Sequence, residues 1–354
     1  MSRFLSNEFE SLKPYVPGEQ PRDKAYIKLN TNELPFPPSP IAQRLARAEA
    51  GDLRLYPDPD CYLLRQVASE YFSVEPDEIF FGNGSDDVLN YAFMAFGGKG
   101  CAFAFPDITY SFYKVLADLN RTEYTEIPVK DDFSIDPSDY FALGKTIVIA
   151  NPNAPTGIAL PVSSVEEILK ANPDNVVIID EAYVFFGAES CLPLIRKYDN
   201  LLIVGTLSKA NALAGGRLGY AIGNKELILD LNRLKNSLNP YCINRMTMMA
   251  GVGVLSDRSY TESCCKRIMT IRDNTFSQLK DLGFTGTDSI ANFLFVKHPD
   301  YEGKKLYTEL RDRGILVRHF DTEKLRDYIR VSIGDEEDMN AFINAIKELV
   351  GEVI

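Results

Sequence analysis

The segment 201–217, LLIVGTLSKANALAGGR, constrains this chain most, because it joins a buried strand to a reactive side chain. Its first residues, 201–204, form an apolar run with the length and branching typical of a buried parallel strand. Gly205 ends the run, and a small polar turn then presents Ser208 and Lys209. A lysine just beyond the carboxyl end of such a strand lies where open α/β sheets bind ligands, although most lysines are simply solvated.

A carboxylate one structural unit upstream provides a partner for this lysine. The apolar run 176–179 ends in Asp180, and Lys209 follows after a separation of 29 positions (209 − 180), close to the ~30 residues of a strand–crossover–strand unit. A right-handed helical crossover would make the two strands parallel, with both carboxyl ends at one sheet edge. Pyridoxal phosphate (PLP) uses such a pair, a lysine for its aldehyde and an Asp for its ring nitrogen. Tyr183 is placed to reach the phenolic oxygen of PLP; a helix cap or an ion pair is the alternative for Asp180 alone.

A glycine-rich turn gives candidates for binding the cofactor phosphate. The apolar run 79–81 leads into Gly84, Ser85 and Asp86, and a helical stretch follows. Glycine lets backbone N–H groups approach an anion closely, and a helix N-terminus favours the negative charge. Arg217 is a further candidate phosphate ligand. A plain capped turn between a strand and a helix is the alternative interpretation.

Two more turns follow predicted strands and offer polar or aromatic side chains. Tyr110 lies just beyond the strand 101–105, where it is placed to stack on a planar ring or to pack in the core. The strand 146–150 leads into the turn NPNAPTG, whose prolines and glycine demand a specific geometry. The amides of Asn151 and Asn153 are candidates for binding the cofactor oxygen, or are structural parts of the turn.

The length of the chain and its proline distribution predict an arm and two domains. Seven prolines in residues 1–40 exclude a long helix and predict an extended N-terminal arm. We expect a large PLP-binding domain over residues 41–240 and a smaller α+β domain over 241–354. Arg318 and Arg330 lie in two predicted strands of the smaller domain. A guanidinium buried there needs an anionic partner, either a ligand or a structural carboxylate.

Charge and cysteine content narrow the class of protein. A net charge of −12 argues against nucleic-acid and anionic-membrane partners. Six cysteines without CxxC spacing predict reduced thiols rather than disulfides. The two histidines have no nearby cysteine or second histidine, so no metal site is expected. Since no apolar run approaches the ~20 residues that span a bilayer, we expect a cytoplasmic protein.

Six motifs, taken in order, resemble those of a known enzyme class. GNGSDD, PDITY, NPNAPTG, DEAY, SKANALAGGR and YIRVSIG are similar to the motifs of PLP-dependent aminotransferases with the aspartate aminotransferase fold. The segments LKPYVPGEQP, KLNTNELPFPPSP and LRLYPDPD further resemble the histidinol-phosphate aminotransferase family. The resemblance covers nearly the whole chain and implies an α/β fold of type I. It implies a mostly parallel seven-stranded sheet between helices, with a smaller α+β C-terminal domain.

The resemblance also assigns roles to the residues at matching positions. Lys209 would form the Schiff base and move the proton from the substrate Cα, Asp180 would pair with the pyridine nitrogen, and Tyr183 with the phenolic oxygen. The other residues expected at the cofactor are Gly84, Ser85, Asp86, Tyr110, Asn153, Ser208, Arg217 and, across a homodimer interface, Tyr56. The residues expected at the substrate are Tyr15, Arg318 and Arg330.

Two segments depart from the family pattern. Ala154 stands where the family turn NPNNPTG carries an asparagine that bonds the cofactor, so that Asn153 or Asn151 is expected to take over that role. The arm segment usually reads NENPYGPSP, and here Leu34, Phe36 and Pro37 replace polar or smaller residues.

The activity that the resemblance implies is amino transfer between L-glutamate and imidazole-acetol phosphate, which gives L-histidinol phosphate and 2-oxoglutarate. An aromatic amino acid aminotransferase is one alternative, since an aromatic substrate would also place its carboxylate on Arg330. A PLP-dependent decarboxylase of a phosphorylated amino acid is a second. A PLP-sensing regulator would need a DNA-binding domain, for which the arm is too short and the chain too acidic.

Overall fold

The structure, a computed structural model, describes residues 2–98 and 100–351. In chain order the strands are β1 (Ile27–Lys28), β2 (Ile79–Gly82), β3 (Phe103–Pro106), β4 (Tyr124–Ile127), β5 (Thr146–Ala150), β6 (Val177–Asp180), β7 (Leu201–Thr206), β8 (Gly219–Gly223), β9 (Thr285–Gly286), β10 (Phe293–Lys297), β11 (Ile315–Leu316), β12 (Arg318–His319) and β13 (Ile329–Ser332).

The helices follow the same order along the chain. The α-helices are α1 (Pro40–Ala48), α2 (Tyr62–Phe72), α3 (Ser85–Phe96), α4 (Phe112–Leu119), α5 (Val162–Ala171), α6 (Lys225–Leu238), α7 (Arg245–Ser256), α8 (Arg258–Asp281), α9 (Gly303–Asp312) and α10 (Glu336–Gly351). Short 3-10 helices lie at Asn7–Phe9, Glu49–Asp52, Pro76–Glu78, Pro137–Tyr140, Val184–Phe186 and Leu192–Arg196.

A seven-stranded sheet with the order β2-β8-β7-β6-β5-β3-β4 forms the centre of the large domain. Strands β3 to β7 pair with one another in parallel, whereas β8 is antiparallel to both of its neighbours. The central strands β5, β6 and β7 are buried along their whole length, as strands covered on both faces require. The prediction of a mostly parallel seven-stranded sheet is therefore confirmed.

The core lies in two layers, one on each face of this sheet. Alternate residues of a strand point to opposite faces, and β6 illustrates the separation. Val177 and Ile179 belong to one buried cluster, together with Leu64 of α2 and Val165 of α5. Ile178 belongs to another cluster, which includes residues of α3, α4 and α6. Helices on both faces leave the strand ends as the accessible part of the sheet.

The connection from β6 to β7 differs from the predicted helical crossover. In the described chain, residues 181–200 contain only the two 3-10 helices Val184–Phe186 and Leu192–Arg196. Gly187 follows the first of these with φ +124, a conformation that interrupts a helix. The two strands are nevertheless parallel, and Asp180 pairs in register with Val204. The carboxyl ends of β6 and β7 thus lie at one sheet edge, as the spacing predicted, although the connection between the strands is not the predicted helix.

The smaller domain is built on the antiparallel sheet β12-β13-β10-β9, packed against α8, α9 and α10. The N-terminal arm joins this domain, because β1 pairs in parallel with β11. The arm ends where Ser39 caps α1, its Oγ accepting from the backbone N–H of Ala42 at 3.2 Å.

Helix α7 packs with the large domain, whereas the predicted domain boundary at residue 240 placed it in the smaller one. Buried side chains of α7, such as Val252 and Leu255, belong to the core of the large domain. The core of the smaller domain takes its first residues after 240 from α8, beginning with Cys265. Glycines make the close packing of α7 possible, because Gly251 faces Leu64 of α2 and Gly253 faces Ala42 of α1.

We predict that Gly253→Ala lowers the free energy of unfolding by about 1–3 kcal/mol, since its Cβ would overlap the backbone of Ala42. Urea unfolding followed by circular dichroism measures the change. Gly51→Ala is the matched control, because a Cβ at Gly51 meets nothing within 4 Å. A Gly253→Ala protein as stable as Gly51→Ala would show that α1 and α7 do not pack this closely.

Candidate active site

A cavity of about 630 Å³ opens between the two domains, at the carboxyl ends of β5, β6 and β7. This is where open α/β sheets place their ligands. Most of the residues selected from the sequence line it: Tyr15, Ser85, Asp86, Tyr110, Asp180, Tyr183, Ser208, Lys209, Arg217, Arg318 and Arg330. Segments from the arm, the large domain and the smaller domain thus meet in one cavity.

Lys209 follows the end of β7, with its amine directed into the cavity wall formed by the arm. Its Nζ donates to the backbone carbonyl of Thr31 at 3.1 Å. Burial, and then the positive charge of Arg330, lower the pKa of Lys209 to about 8. A larger fraction of this amine is therefore neutral near neutral pH than for a solvated lysine, and a neutral amine is the form that attacks an aldehyde.

Asp180 is the last residue of β6 and is 5% exposed. Its Oδ2 accepts from the hydroxyl of Tyr113 at 2.8 Å, and its Oδ1 accepts from the backbone N–H of Ala182 at 3.2 Å. Burial raises the pKa of Asp180 to about 6, against the lowering effect of these two donors. Tyr113, at the start of α4, was not selected from the sequence; nothing near it in the chain indicates a contact 67 positions away.

Tyr183 lies opposite Lys209, whose Nζ is 5.9 Å from the centre of the tyrosine ring. The ring packs edge-on against Phe293 of β10, with 5.1 Å between centres. Its hydroxyl accepts from the side-chain amide of Asn32 at 2.9 Å. Asn32 belongs to the arm and was also missed by the sequence analysis.

The turn before α3 and the residues around Arg217 form a cradle that fits a phosphate group. Ser85 and Asp86 open the 12-residue helix α3, whose N-terminal N–H groups favour an anion. Arg217 forms an ion pair with Asp86 at 2.9 Å. Ser208 Oγ is buried and has no hydrogen-bond partner among the described residues, so it is free to donate to a ligand. Gly84, with φ +85, forms the wall behind Arg217, where a Cβ would overlap the guanidinium.

Tyr110 covers the other side of Asp86, to which its hydroxyl donates at 2.9 Å. Its ring is half-buried at the cavity wall, edge-on to Tyr113 at 5.6 Å between centres. Burial, followed by the charge of Asp86, raises the pKa of Tyr110, so that this hydroxyl stays protonated. The position is compatible with the predicted stacking role.

Two arginines face the cavity from neighbouring strands of the smaller domain. Arg318 of β12 and Arg330 of β13 are direct cross-strand partners. Arg330 donates from Nη2 to the carbonyl of Asn30 at 3.2 Å, but its buried Nε has no partner among the described residues. Arg318 donates to the carbonyls of Val16 and Pro17 at 3.0 and 3.2 Å. Backbone carbonyls leave both positive charges uncompensated, so the pair can bind an anion.

Tyr15 extends from the arm over the same region. Its ring lies edge-on to Tyr110, 6.0 Å between centres, and to Phe112 at 5.6 Å. Burial raises the pKa of Tyr15, while Arg318 and Arg330 act in the opposite direction. The arm therefore brings an aromatic side chain and two backbone carbonyls to the substrate end of the cavity.

Both asparagines of the NPNAPTG turn bond to neighbouring loops. Asn153 is buried behind the cavity wall, where its Nδ2 donates to Ile108 O at 2.8 Å and its Oδ1 accepts from Thr109 at 2.7 Å. The Asn151 amide is likewise engaged by the backbone of Leu160, at 3.0 and 2.9 Å. Neither asparagine lines the cavity, and both amides hold loops in place. Ala154 is the residue of this turn that lines the cavity.

Tyr56 lies away from this cavity within its own chain. It is 79% exposed and stacks on Tyr241 with 4.7 Å between ring centres. Its neighbours Leu53, Leu55, Tyr62 and Leu63 are exposed as well. A contribution of Tyr56 to a site would therefore require a second copy of the chain.

Within residues 2–98 and 100–351, no group of three or more His, Cys, Asp or Glu side chains is arranged to hold a metal ion. In the same part of the chain, no helix has the length and apolar character needed to cross a membrane.

Comparison with known proteins identifies the class of protein to which this fold and site belong. The pattern of the family described as aminotransferase class I and II matches residues 24–346, and the chain belongs to that family. This membership confirms the prediction of a PLP-dependent aminotransferase.

Within that family the chain is similar to proteins named histidinol-phosphate aminotransferase. It is 48% identical over 352 residues to the one from Brachyspira hyodysenteriae, covering 99% of each chain. It is 49% identical over 353 residues to the one from Marinomonas sp., covering 99% of this chain and 100% of that one. The crystal structure of histidinol-phosphate aminotransferase from Sinorhizobium meliloti in complex with pyridoxal-5'-phosphate superposes with a TM-score of 0.90, at 23% identity over 100% and 99% of the chains. That structure supports the fold.

We predict that the capture of added PLP by the cofactor-free protein increases with pH, with a midpoint near 8, because only the neutral amine of Lys209 reacts. Arg330→Met should raise this midpoint, since it removes a positive charge that lowers the pKa of Lys209. Stopped-flow absorbance measures the rate, and Lys209→Ala gives the background from other lysines. A midpoint near 10 in both proteins would show that the site does not shift the pKa of this amine.

Proposed function

We propose that the protein transfers an amino group between L-glutamate and imidazole-acetol phosphate, forming 2-oxoglutarate and L-histidinol phosphate. The observation that carries the proposal is the cross-strand pair Arg318 and Arg330, whose charges face the cavity without a carboxylate partner among the described residues. These substrates bring a carboxylate or a phosphate to the same end of the site. The names of the full-length relatives support the choice.

The residues around the cofactor position divide the work between binding and proton transfer. When bound, PLP stabilises the negative charge that develops at the substrate Cα as its C–H bond breaks. Ser208, Arg217 and the N-terminus of α3 would hold the phosphate, and Asp180 would hold the ring nitrogen. Lys209 would provide the amine that binds the cofactor aldehyde and, once displaced by the amino group of the substrate, would accept the proton from the substrate Cα.

The substrate end of the site selects for anions. Arg330 is half-buried beside the rings of Phe293 and Phe320, with its guanidinium carbon 5.3 and 5.7 Å from their centres. An anion bound there is shielded from water, which strengthens its attraction to the guanidinium. Arg318 adds a second charge, and its present partners, Val16 and Pro17, belong to the arm. A phosphate that binds there would replace the hydrogen bonds of Arg318 to neutral carbonyls by charge-assisted hydrogen bonds.

We predict that single-turnover absorbance measurements on the PLP-loaded protein show faster conversion with L-histidinol phosphate than with L-phenylalanine. Arg318→Met should weaken the binding of histidinol phosphate about 10–100-fold, and that of phenylalanine much less, because the lost bonds are to a phosphate. Lys209→Ala should lower turnover at least ~1000-fold.

The outcomes distinguish the proposal from its alternatives. Faster conversion with phenylalanine, unaffected by Arg318→Met, would favour an aromatic aminotransferase. Release of CO₂ from a phosphorylated amino acid, without amino transfer, would favour a decarboxylase.

The proposal includes a homodimer in which Tyr56 completes the partner's site. Support comes from the exposed apolar side chains around Tyr56, since patches of this kind mark protein interfaces. The proposal also keeps the cytoplasm as its location, because all six cysteines are free thiols, as is usual there.

We predict that inactive or weakened variants complement one another when mixed. Tyr56→Phe lacks the hydroxyl in both sites of a dimer, and Lys209→Ala lacks the amine in both. A hybrid dimer, with one subunit of each variant, has one site with both wild-type side chains. Random exchange of subunits makes about half of the dimers hybrid, so that about a quarter of full activity is restored. Each variant alone, incubated at the same concentration, is the control. Activity equal to the sum of the separate variants would place Tyr56 outside the partner's site.

A further inference from the structure

Three consecutive residues of the arm, 30–32, each contact a different residue of the active site. The first two use backbone carbonyls, which accept from Arg330 at 3.2 Å and from Lys209 at 3.1 Å. The third contact is made by a side chain, the Asn32 amide, which donates to the Tyr183 hydroxyl at 2.9 Å. Any residue supplies a carbonyl, so Asn32 is the position of this segment whose contact with the active site depends on its side chain.

The hydrogen bonds around Asn32 fix the direction of its amide. The Ser332 hydroxyl accepts from the Asn32 backbone N–H at 2.8 Å. It can then give its single proton to Asn32 Oδ1, which lies 2.9 Å away. Oδ1 therefore faces Ser332, and the NH₂ group faces Tyr183. The reversed amide would leave the Ser332 proton without this acceptor.

The backbone at Asn32 is suited to hold this arrangement. The residue is 1% exposed, and its φ of +55 lies in the left-handed region, which Asn tolerates better than most residues. Its carbonyl accepts from the amide of Asn292 at 3.0 Å. Every polar group of Asn32 thus has a partner, so that the amide has little freedom to turn.

The surroundings of Tyr183 make this one donor important. Its ring packs in an apolar cluster with Ala154, Ala291 and Phe293. Among the described residues, Asn32 supplies the side-chain donor that reaches the Tyr183 hydroxyl. A hydroxyl that accepts from an amide keeps its own proton for another acceptor, and that proton is left to point into the cavity.

We propose that Asn32 is a positioning residue that directs the hydroxyl proton of Tyr183 toward the phenolic oxygen of PLP. The inference rests on the proposed function, in which Tyr183 binds that oxygen. A donor aimed at the phenolic oxygen stabilises its anionic form. If this donor is weakened, the pH midpoint of the visible absorbance change of the bound cofactor therefore rises.

Two substitutions that tolerate the left-handed backbone test the proposal on the PLP-loaded protein. Asn32→Gly removes the amide, and we expect the pH midpoint of the absorbance change to rise by about one unit, with PLP binding about tenfold weaker. Asn32→Asp keeps the shape of the side chain, but its carboxylate accepts the Tyr183 proton. We expect a larger upward shift from Asn32→Asp than from Asn32→Gly.

A double substitution and a control variant separate positioning from general loosening of the arm. In a Tyr183→Phe background, Asn32→Gly should no longer move the midpoint, because Asn32 acts through the hydroxyl. Asn292→Ala removes a bond to the same segment but leaves the amide in place. It should lower the melting temperature without moving the midpoint.

Each contrary result has a definite meaning. An unchanged midpoint in Asn32→Gly, or a shift that persists in the Tyr183→Phe background, would overturn the inference. An equal shift in Asn292→Ala would do the same, since it would assign the effect to loosening. A wild-type protein that binds no PLP would overturn the proposed function together with the inference, whereas a normal cofactor band with unmoved variants overturns the inference alone.

Discussion

The parallel pairing of β6 with β7 is the contact on which the active site depends. Asp180 pairs in register with Val204, and Lys209 follows a few residues beyond, so that a carboxylate and an amine share one buried edge. Burial moves their pKa values toward each other, to about 6 for Asp180 and about 8 for Lys209. Each is held by a neutral group rather than by an opposite charge, and therefore remains available to a ligand. The register of β6 on β7 thus determines where the two side chains lie, and through their burial it also affects their protonation.

The distribution of positive charge explains how a chain with a net charge of −12 binds anions. Arg217 is balanced by Asp86 at the phosphate cradle. Arg318 and Arg330 are held by backbone carbonyls of the arm, which orient the guanidinium groups without neutralising them. Local charge in a low-dielectric cavity outweighs a diffuse negative charge that is screened by water and salt. Net charge therefore argues against polyanionic partners but says little about small anionic substrates.

The sequence predicted the parts of the site that depend on short-range order. Asp180 follows an apolar run directly and Lys209 follows one after a short turn, so that the strand pattern and the parallel-sheet rule were sufficient to place them at one edge. The orientation of Asn153 could not be predicted, because amides in a turn have two possible uses, and the choice depends on which backbone groups pack nearby. Here Ile108 and Thr109 engage that amide.

Contacts across long stretches of the chain could not be predicted from one sequence. Tyr113 reaches Asp180 across 67 positions, and Asn32 reaches Tyr183 across 151. No local pattern marks these residues, because their partners are set by how α4 and the arm pack on the finished sheet.

The arm is part of the active site because it is anchored to one domain and contacts the other. Strand β1 pairs with β11 of the smaller domain, and the backbone N–H of Ser332 donates to Leu29 O at 2.9 Å. The residues that follow reach Lys209 and Tyr183 of the large domain. A shift of the smaller domain would therefore move the partners of both side chains. Arg318 and Arg330 belong to that same domain, so this segment links the two cavity-facing arginines to Lys209 and Tyr183.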